Sequence, residues 1–299
     1  MRNSFIDTLV ELAEDNSKIM LLTGDLGYSV LEGFRDRYPK QFVNVGIAEQ
    51  NMAGIAAGLA MEGHIVFIYS IGNFPTLRCM EQIRYDICYH NLSVKIIAVG
   101  AGYAYGPLGT SHHMTEDLGM LRAIPNLTVC APGDPLEVVA STKFLLRTHG
   151  PGYMRINKAG ERVIHKNKLE LTGNEILPIR AGTHTAVLTT GAILDYADRF
   201  IEQEKKTWAL YSIPFLNEVN PDVLIKIAQE FDRIITMEEH QLNTGFGSMI
   251  VERLSDFYAS GKISAMPRVH RVGIPNIFVS VAGTQEYLRE KALLTLDRF

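Results

Sequence analysis

Few side chains in this sequence stand where they could do chemistry, and most of them lie in loops that follow short apolar runs. Glu49 is the clearest. It opens a stretch of small residues, Gln50 to Ala60, behind the β-rich run Phe42–Val45 and a turn at Gly46. Its neighbours Ile47, Ala48, Met52 and Ala53 are apolar. A carboxylate buried there must be hydrogen-bonded, neutralised or used; the plain alternative is an acid that complements a helix dipole. Asp25 and Ser29 stand in Gly24-Asp-Leu-Gly-Tyr-Ser29, Phe74 in Ser70-Ile-Gly-Asn-Phe-Pro75, and His112 and His113 at the end of a glycine-rich loop that starts at Gly100. A lone loop histidine is usually solvated. Two adjacent ones near an isolated acid strengthen the case for a site. Other patterns are missing: no P-loop, no GxGxxG after a strand, no GxSxG elbow, and no cysteine, histidine or carboxylate set with metal-ligand spacing.

The elements that must position these residues alternate. Ile19–Thr23, Phe42–Val45, His64–Tyr69, Leu92–Val99, Leu127–Cys130 and Tyr153–Ile156 read as strands. Between them Phe5–Glu14, Glu49–Ala60, Leu77–Tyr89, Glu116–Ala123 and Pro135–Arg147 read as helices, the last capped by Asp134 with Pro135 in the first position. Alternation of this kind predicts an α/β fold with a mostly parallel sheet covered on both faces, whose strand-end loops converge on one edge. The rhythm lapses after about residue 157 and resumes with Thr185–Thr189, Thr207–Tyr211 and Arg233–Thr236, followed by the turn Glu238–Ser248. The expected organisation is a first domain over 1–165, a linker over 166–183 and a smaller α/β domain over 184–299.

The 299 residues carry a net charge of −4, which gives no basic excess to neutralise nucleic-acid phosphates. Cys79, Cys88 and Cys130 form no CxxC pair and read as reduced packing residues. No signal-peptide or membrane-length apolar run is present. A cytoplasmic protein is expected, with partners that are neither nucleic acid nor membrane.

Taken together, the loops resemble those of the thiamine-diphosphate enzymes of the transketolase and deoxyxylulose-phosphate synthase group. The match runs in register along the whole chain. Gly-Asp-Leu-x-x-Ser at 24–29 is followed by Gly46-Ile-Ala-Glu49-Gln50, Tyr69-Ser-x-x-x-Phe74, Gly-x-x-Gly-Thr-x-His at 106–112 and Pro-Gly-Asp at 132–134, and the tail from Glu238 resembles the family's C-terminal domain. The resemblance implies that Glu49 hydrogen-bonds the aminopyrimidine of thiamine diphosphate and so promotes loss of the thiazolium proton. It implies that Phe74 stacks on that ring with Ile71 beside it, and that Asp25 faces the thiazolium. It also implies that His112 contacts the carbonyl or hydroxyl of a bound ketose, and that Arg2, Ser29 and Lys158 reach a sugar phosphate.

The family's complete chains also carry a domain that holds Mg2+ and the diphosphate through a Gly-Asp-Gly…Asn motif, which this sequence lacks. The resemblance therefore implies a split enzyme: the C-terminal subunit of a transketolase, active with a diphosphate-binding N-terminal subunit in an α2β2 heterotetramer, with the thin helix after Glu49 at the interface. Three positions depart from the transketolase pattern. Leu108 stands where an Asp is usual, Gly100 where a His is usual, and Lys158 where an Arg is usual. Ketol transfer is expected, on an unusual sugar or one without phosphate. The competing readings are the E1 β subunit of a 2-oxoacid dehydrogenase, a deoxyxylulose-phosphate-synthase-like carboligase, and a non-catalytic scaffold.

Overall fold

A computed structural model describes residues 1–299. In the first half, β1 (Ile19–Thr23), β2 (Phe42–Asn44), β3 (Ile65–Ile71), β4 (Val94–Val99), β5 (Thr128–Cys130) and β6 (Gly152–Ile156) form a six-stranded sheet in the order β2-β1-β3-β4-β6-β5. Every pairing in it is parallel. Side chains alternate across a strand, and β1 shows the consequence. Ile19 and Leu21 join one apolar cluster with Phe67, Ile97 and Met154, while Met20 and Leu22 join a second with Ile68, Ile96 and Tyr153. Both faces are covered by helices, so the strands read as continuous apolar runs.

The second sheet is built from β7 (Leu177–Arg180), β8 (Thr185–Thr189), β9 (Ala209–Ser212), β10 (Arg233–Gln241) and β11 (Arg268–Ile274), in the order β11-β10-β8-β9-β7. It is parallel except for β7, which runs antiparallel to β9. The stretch 166–183, expected to be a linker, therefore contains a strand. Leu-Pro-Ile-Arg escapes a periodicity search because it is short and contains proline, which only an edge strand tolerates. β11, equally hidden in the sequence pattern, is the other edge and begins exposed and polar. β10 runs on to Gln241, so Glu238, Glu239 and His240 are buried strand residues rather than part of a turn.

The helix expected over Leu77–Tyr89 is broken. A 3-10 turn, Leu77–Cys79, gives way to one α-turn and then to a π-helical segment, Ile83–Cys88. Such segments are frequent near functional sites. The two units share one core: Leu121 and Val129 lie in the same apolar cluster as Ile213, Leu224 and Phe246. The backbone N–H groups of Ala131 and Leu216 donate across the join to the Pro214 and Val129 oxygens at 2.7 and 3.0 Å. No helix is long and apolar enough to cross a membrane.

Candidate active site

The site lies at the C-terminal edge of the six-stranded sheet, where parallel strands release their loops. Gly46 makes the turn between β2 and the helix Glu49–Met61 with a φ of +74° that favours glycine. That turn points Glu49 inward, and the side chain is only 3 % exposed. Arg78, in the broken segment after β3, donates from Nη1 to Glu49 Oε2 at 2.7 Å. Its guanidinium also lies over the Phe74 ring, 4.7 Å from the centroid. Gly24 at the end of β1 keeps the approach to the carboxylate clear. A Cβ there would lie 3.2 Å from the Gly46 oxygen and 3.7 Å from Glu49 Cγ and Oε1.

Phe74 follows Ile71 through a turn closed by Gly72, whose N–H donates to the Val99 oxygen at 2.9 Å, and by Thr76, whose hydroxyl donates to the Gly72 oxygen at 3.0 Å. Phe74 is half-buried and meets the His112 ring edge-on at 5.3 Å. Glu49, Phe74 and His112, which lie far apart in the chain, are thus joined through Arg78 and direct ring contact. His112 sits in a short 3-10 turn with the Ser111 hydroxyl 3.0 Å from Nδ1. Burial lowers its proton affinity, so the ring is neutral at pH 7.

The adjacent histidines separate. His113 turns inward against the Tyr103 ring, 5.0 Å away, and its carbonyl accepts from Asn73 Nδ2 at 2.6 Å. Asp25 is exposed and has a φ of +56°, with its N–H on Asn44 Oδ1 at 3.0 Å and its carboxylate accepting from Tyr28 and Asn44. Ser29, also exposed, is held by Glu32, whose Oε1 accepts the Ser29 N–H at 2.8 Å. Arg2 and Lys158 come together, because the Arg2 N–H donates to the Lys158 oxygen at 3.2 Å. Neither side chain has a carboxylate partner, and Arg2 Nε is buried without any hydrogen-bond acceptor. Tyr105 neighbours both this pair and His112, with Lys158 Nζ 4.9 Å from its ring centroid and the His112 ring 6.5 Å away. Leu108, one turn on, is 55 % exposed.

Arg78 and Tyr105 join this cluster in the structure, and the sequence does not mark them. Arg78 falls four residues after Phe74, a spacing that a broken helix makes uninformative. Nothing in the sequence singles out Tyr105. The clamp that fixes the histidine loop is equally silent. Glu239 on β10 accepts the Tyr103 N–H at 2.8 Å and is held in turn by Gln285 and Arg289. One acidic set assembles without any spacing signal: Asp134, Glu137 and His165. Its oxygens are already engaged. Asp134 accepts from the backbone of Glu137, Ile164 and His165, and Glu137 accepts from the Gly133 N–H and lies 2.8 Å from His165 Nε2. It is a clasp on the helix N-terminus rather than an open metal site.

Comparison with known proteins assigns this arrangement to a family. The transketolase pyrimidine-binding domain matches residues 1–161, and the transketolase C-terminal domain matches residues 174–298. The chain belongs to the transketolase family. It is 34 % identical over 271 residues to one subunit of an apulose-4-phosphate transketolase of Phocaeicola vulgatus, covering 89 % of this chain and 87 % of that one. A putative transketolase C-terminal section of Methanocaldococcus jannaschii is 32 % identical over 295 residues, covering 97 % and 90 %. A solved structure of a split-gene transketolase, described as an inactive beta4 tetramer, superposes with a TM-score of 0.83 at 31 % identity, covering 98 % of this chain and 93 % of that one. Transketolases use thiamine diphosphate. A buried carboxylate beside a half-buried aromatic ring, reached past a glycine, fits the aminopyrimidine end of that cofactor.

Proposed function

We propose that this chain is the C-terminal subunit of a two-chain transketolase that moves a two-carbon ketol unit from a ketose to an aldose. The observation that carries the reading is Glu49, buried at the sheet edge beside Phe74 and linked through that ring to His112. When bound, thiamine diphosphate supplies the carbanion chemistry. Glu49 Oε1, the oxygen Arg78 does not take, would share a proton with the ring nitrogen of the aminopyrimidine, and Phe74 with Ile71 would flank that ring. His112, neutral and oriented by Ser111, offers a hydrogen bond to the oxygen on which charge develops. Asp25 lies at the thiazolium side. Arg2, Ser29 and Lys158 take the far, anionic end of the sugar.

The diphosphate and Mg2+ belong to a partner subunit, in an α2β2 assembly. The helix Glu49–Met61 supports this reading. Its outer face carries Gly54 and Gly58, where an added Cβ would meet nothing within 4 Å, between exposed Ile47 (79 %) and Met61 (56 %). Tyr85 and Tyr89 are exposed as well. A thin helix flanked by apolar side chains admits a second backbone closely. The buried thiols Cys79, Cys88 and Cys130 suit a reducing cytoplasm.

The test is calorimetry with thiamine diphosphate and Mg2+ on this subunit alone and on its complex with the diphosphate-binding chain. Weak or no binding alone and clear binding by the complex is expected. Tight binding to the isolated chain would refute the shared site, and no binding by the complex would refute the transketolase reading.

A further inference from the structure

Tyr105 neighbours both ends of the proposed substrate path, and the backbone around it is built to hold it there. Gly100, just after β4, has a φ of +101°, and a Cβ at that position would lie 2.2 Å from Tyr105 Cδ2. The ring therefore fills the volume above Gly100, which any larger residue at 100 would take for itself.

The loop cannot swing the ring away. Two residues before it, the Tyr103 N–H is bonded to Glu239, and Gly102 is paired with Met114 through both of its backbone groups at 3.0 and 2.9 Å. Immediately after it, Gly106 is packed so closely that a Cβ would sit 2.5 Å from the Gly283 oxygen and from Leu288 Cδ1. The Leu108 N–H returns to the Tyr105 oxygen at 2.9 Å. On the other side Lys158 lies against the ring, and Arg2 faces the hydroxyl. Burial raises the proton affinity of that hydroxyl, Arg2 partly offsets the effect, and the group stays a neutral phenol at physiological pH.

Two unpaired cations at one end call for an anion, and His112 at the other calls for a carbonyl or hydroxyl. Tyr105 lies against both and bounds the gap that a ligand beside it can span. With its ring centroid 6.5 Å from that of His112 and 4.9 Å from Lys158 Nζ, the gap from imidazole to ammonium is at most about 11 Å. A hydrogen bond of about 3 Å at each end leaves roughly 5 Å for the ligand. That is the reach of a three-carbon aldehyde phosphate, not of an extended five-carbon one.

We propose that Tyr105 is the length-determining wall of the acceptor site, restricting this enzyme to short aldose phosphates whose anion is held by Arg2 and Lys158. The proposal rests on the transketolase reading. It goes beyond it by assigning specificity to a residue in contact with the substrate rather than with the cofactor.

The test uses the reconstituted complex of both subunits with thiamine diphosphate and Mg2+. Acceptor kcat/KM is measured for glyceraldehyde 3-phosphate and for ribose 5-phosphate. Binding of the unreactive acids 3-phosphoglycerate and 5-phosphoribonate is measured by calorimetry. Wild type should prefer the three-carbon ligand in both assays. Tyr105→Ala should shift both preferences towards the five-carbon ligand by about tenfold or more, the scale on which a pocket wall discriminates. Tyr105→Phe, which keeps the wall, should keep the wild-type preference. Circular dichroism checks that each variant folds. An active Tyr105→Ala complex with an unchanged preference overturns the proposal and leaves the transketolase reading standing, as does an altered preference in Tyr105→Phe equal to that in Tyr105→Ala. A wild-type complex that binds cofactor yet transfers to neither aldose refutes the functional reading and this proposal with it. Should Tyr105→Ala not fold, Tyr105→Leu replaces it and is read in the same way.

Discussion

The ion pair between Glu49 and Arg78 is lopsided, and the two ways of breaking it should have opposite signatures. Glu49 is 3 % exposed, while Arg78 keeps 48 % of its side chain in water. Glu49→Gln removes the buried charge and keeps the shape. The guanidinium left behind can be solvated, so the loss is that of a partly exposed pair, up to about 1 kcal/mol. Arg78→Ala does the reverse. It leaves a buried carboxylate with no partner, and the cost of an unsatisfied buried acceptor applies, about 1–3 kcal/mol and more if the charge is retained. Urea unfolding of the isolated subunit should therefore place Glu49→Gln near wild type and Arg78→Ala clearly below it.

Activity should order the variants the other way. An amide in place of Glu49 cannot exchange a proton with the aminopyrimidine, and the loss in kcat should be at least the roughly 10²–10⁴-fold typical of a removed proton-transfer group. Arg78→Ala keeps the carboxylate and should lose far less. In the two-chain complex, bound cofactor should restore part of the stability of Arg78→Ala, because the aminopyrimidine gives Glu49 a hydrogen-bond partner. Destabilisation by Glu49→Gln equal to that by Arg78→Ala would make Glu49 a structural tie instead. Turnover of Glu49→Gln within about tenfold of wild type would likewise rule out its part in proton transfer.

Four further outcomes are expected. His112→Ala should reduce kcat/KM by about 10²–10³-fold, as loss of an oxyanion donor does. Because burial lowers the proton affinity of His112, the wild-type acid limb due to this group should lie below pH ~6.5 in a pH–rate profile. Gly102→Ala should destabilise by about 2–4 kcal/mol, because φ is +56° and the new Cβ would lie 2.4 Å from Glu239 Cγ, displacing the clamp on Tyr103; hydrogen exchange at the Tyr103 amide would report it. Lys95 is buried with Nζ donating to the Thr148 and Gly150 oxygens, and burial lowers its pKa to about 8. The unfolded chain then binds the extra proton between pH ~8 and ~10.4, so wild-type stability relative to Lys95→Met should rise through that window by at most about 3 kcal/mol and level off above it.

The first sheet was legible in the sequence because its strands are buried on both faces, and Ile-Met-Leu-Leu-Thr at 19–23 or Val-Lys-Ile-Ile-Ala-Val at 94–99 can be little else. The edge strands β7 and β11 were not, since an edge needs neither continuous apolar residues nor every N–H. Glu49, Phe74 and His112 could be picked out because each stands in a motif, and the fold brings them together as the topology of parallel strands requires. Arg78 and Tyr105 could not. Their importance lies in which ring or carboxylate they face. A break in a helix decides that for Arg78, and the space left by Gly100 decides it for Tyr105, in both cases only after folding.

The same distinction separates the carboxylate from the loop that carries His112. Glu49 is positioned by the backbone, through the Gly46 turn and the close approach at Gly24. The loop that carries His112 is fixed differently. Gly100 leaves a volume that Tyr105, later in the same loop, fills, and Leu108 presents an exposed apolar side chain. Glu49 takes its hydrogen bond from Arg78 and not from this loop. If the proposed roles hold, exchanging side chains within the clamped loop should shift acceptor preference while the carboxylate stays in place, whereas loss of Glu49 should abolish transfer.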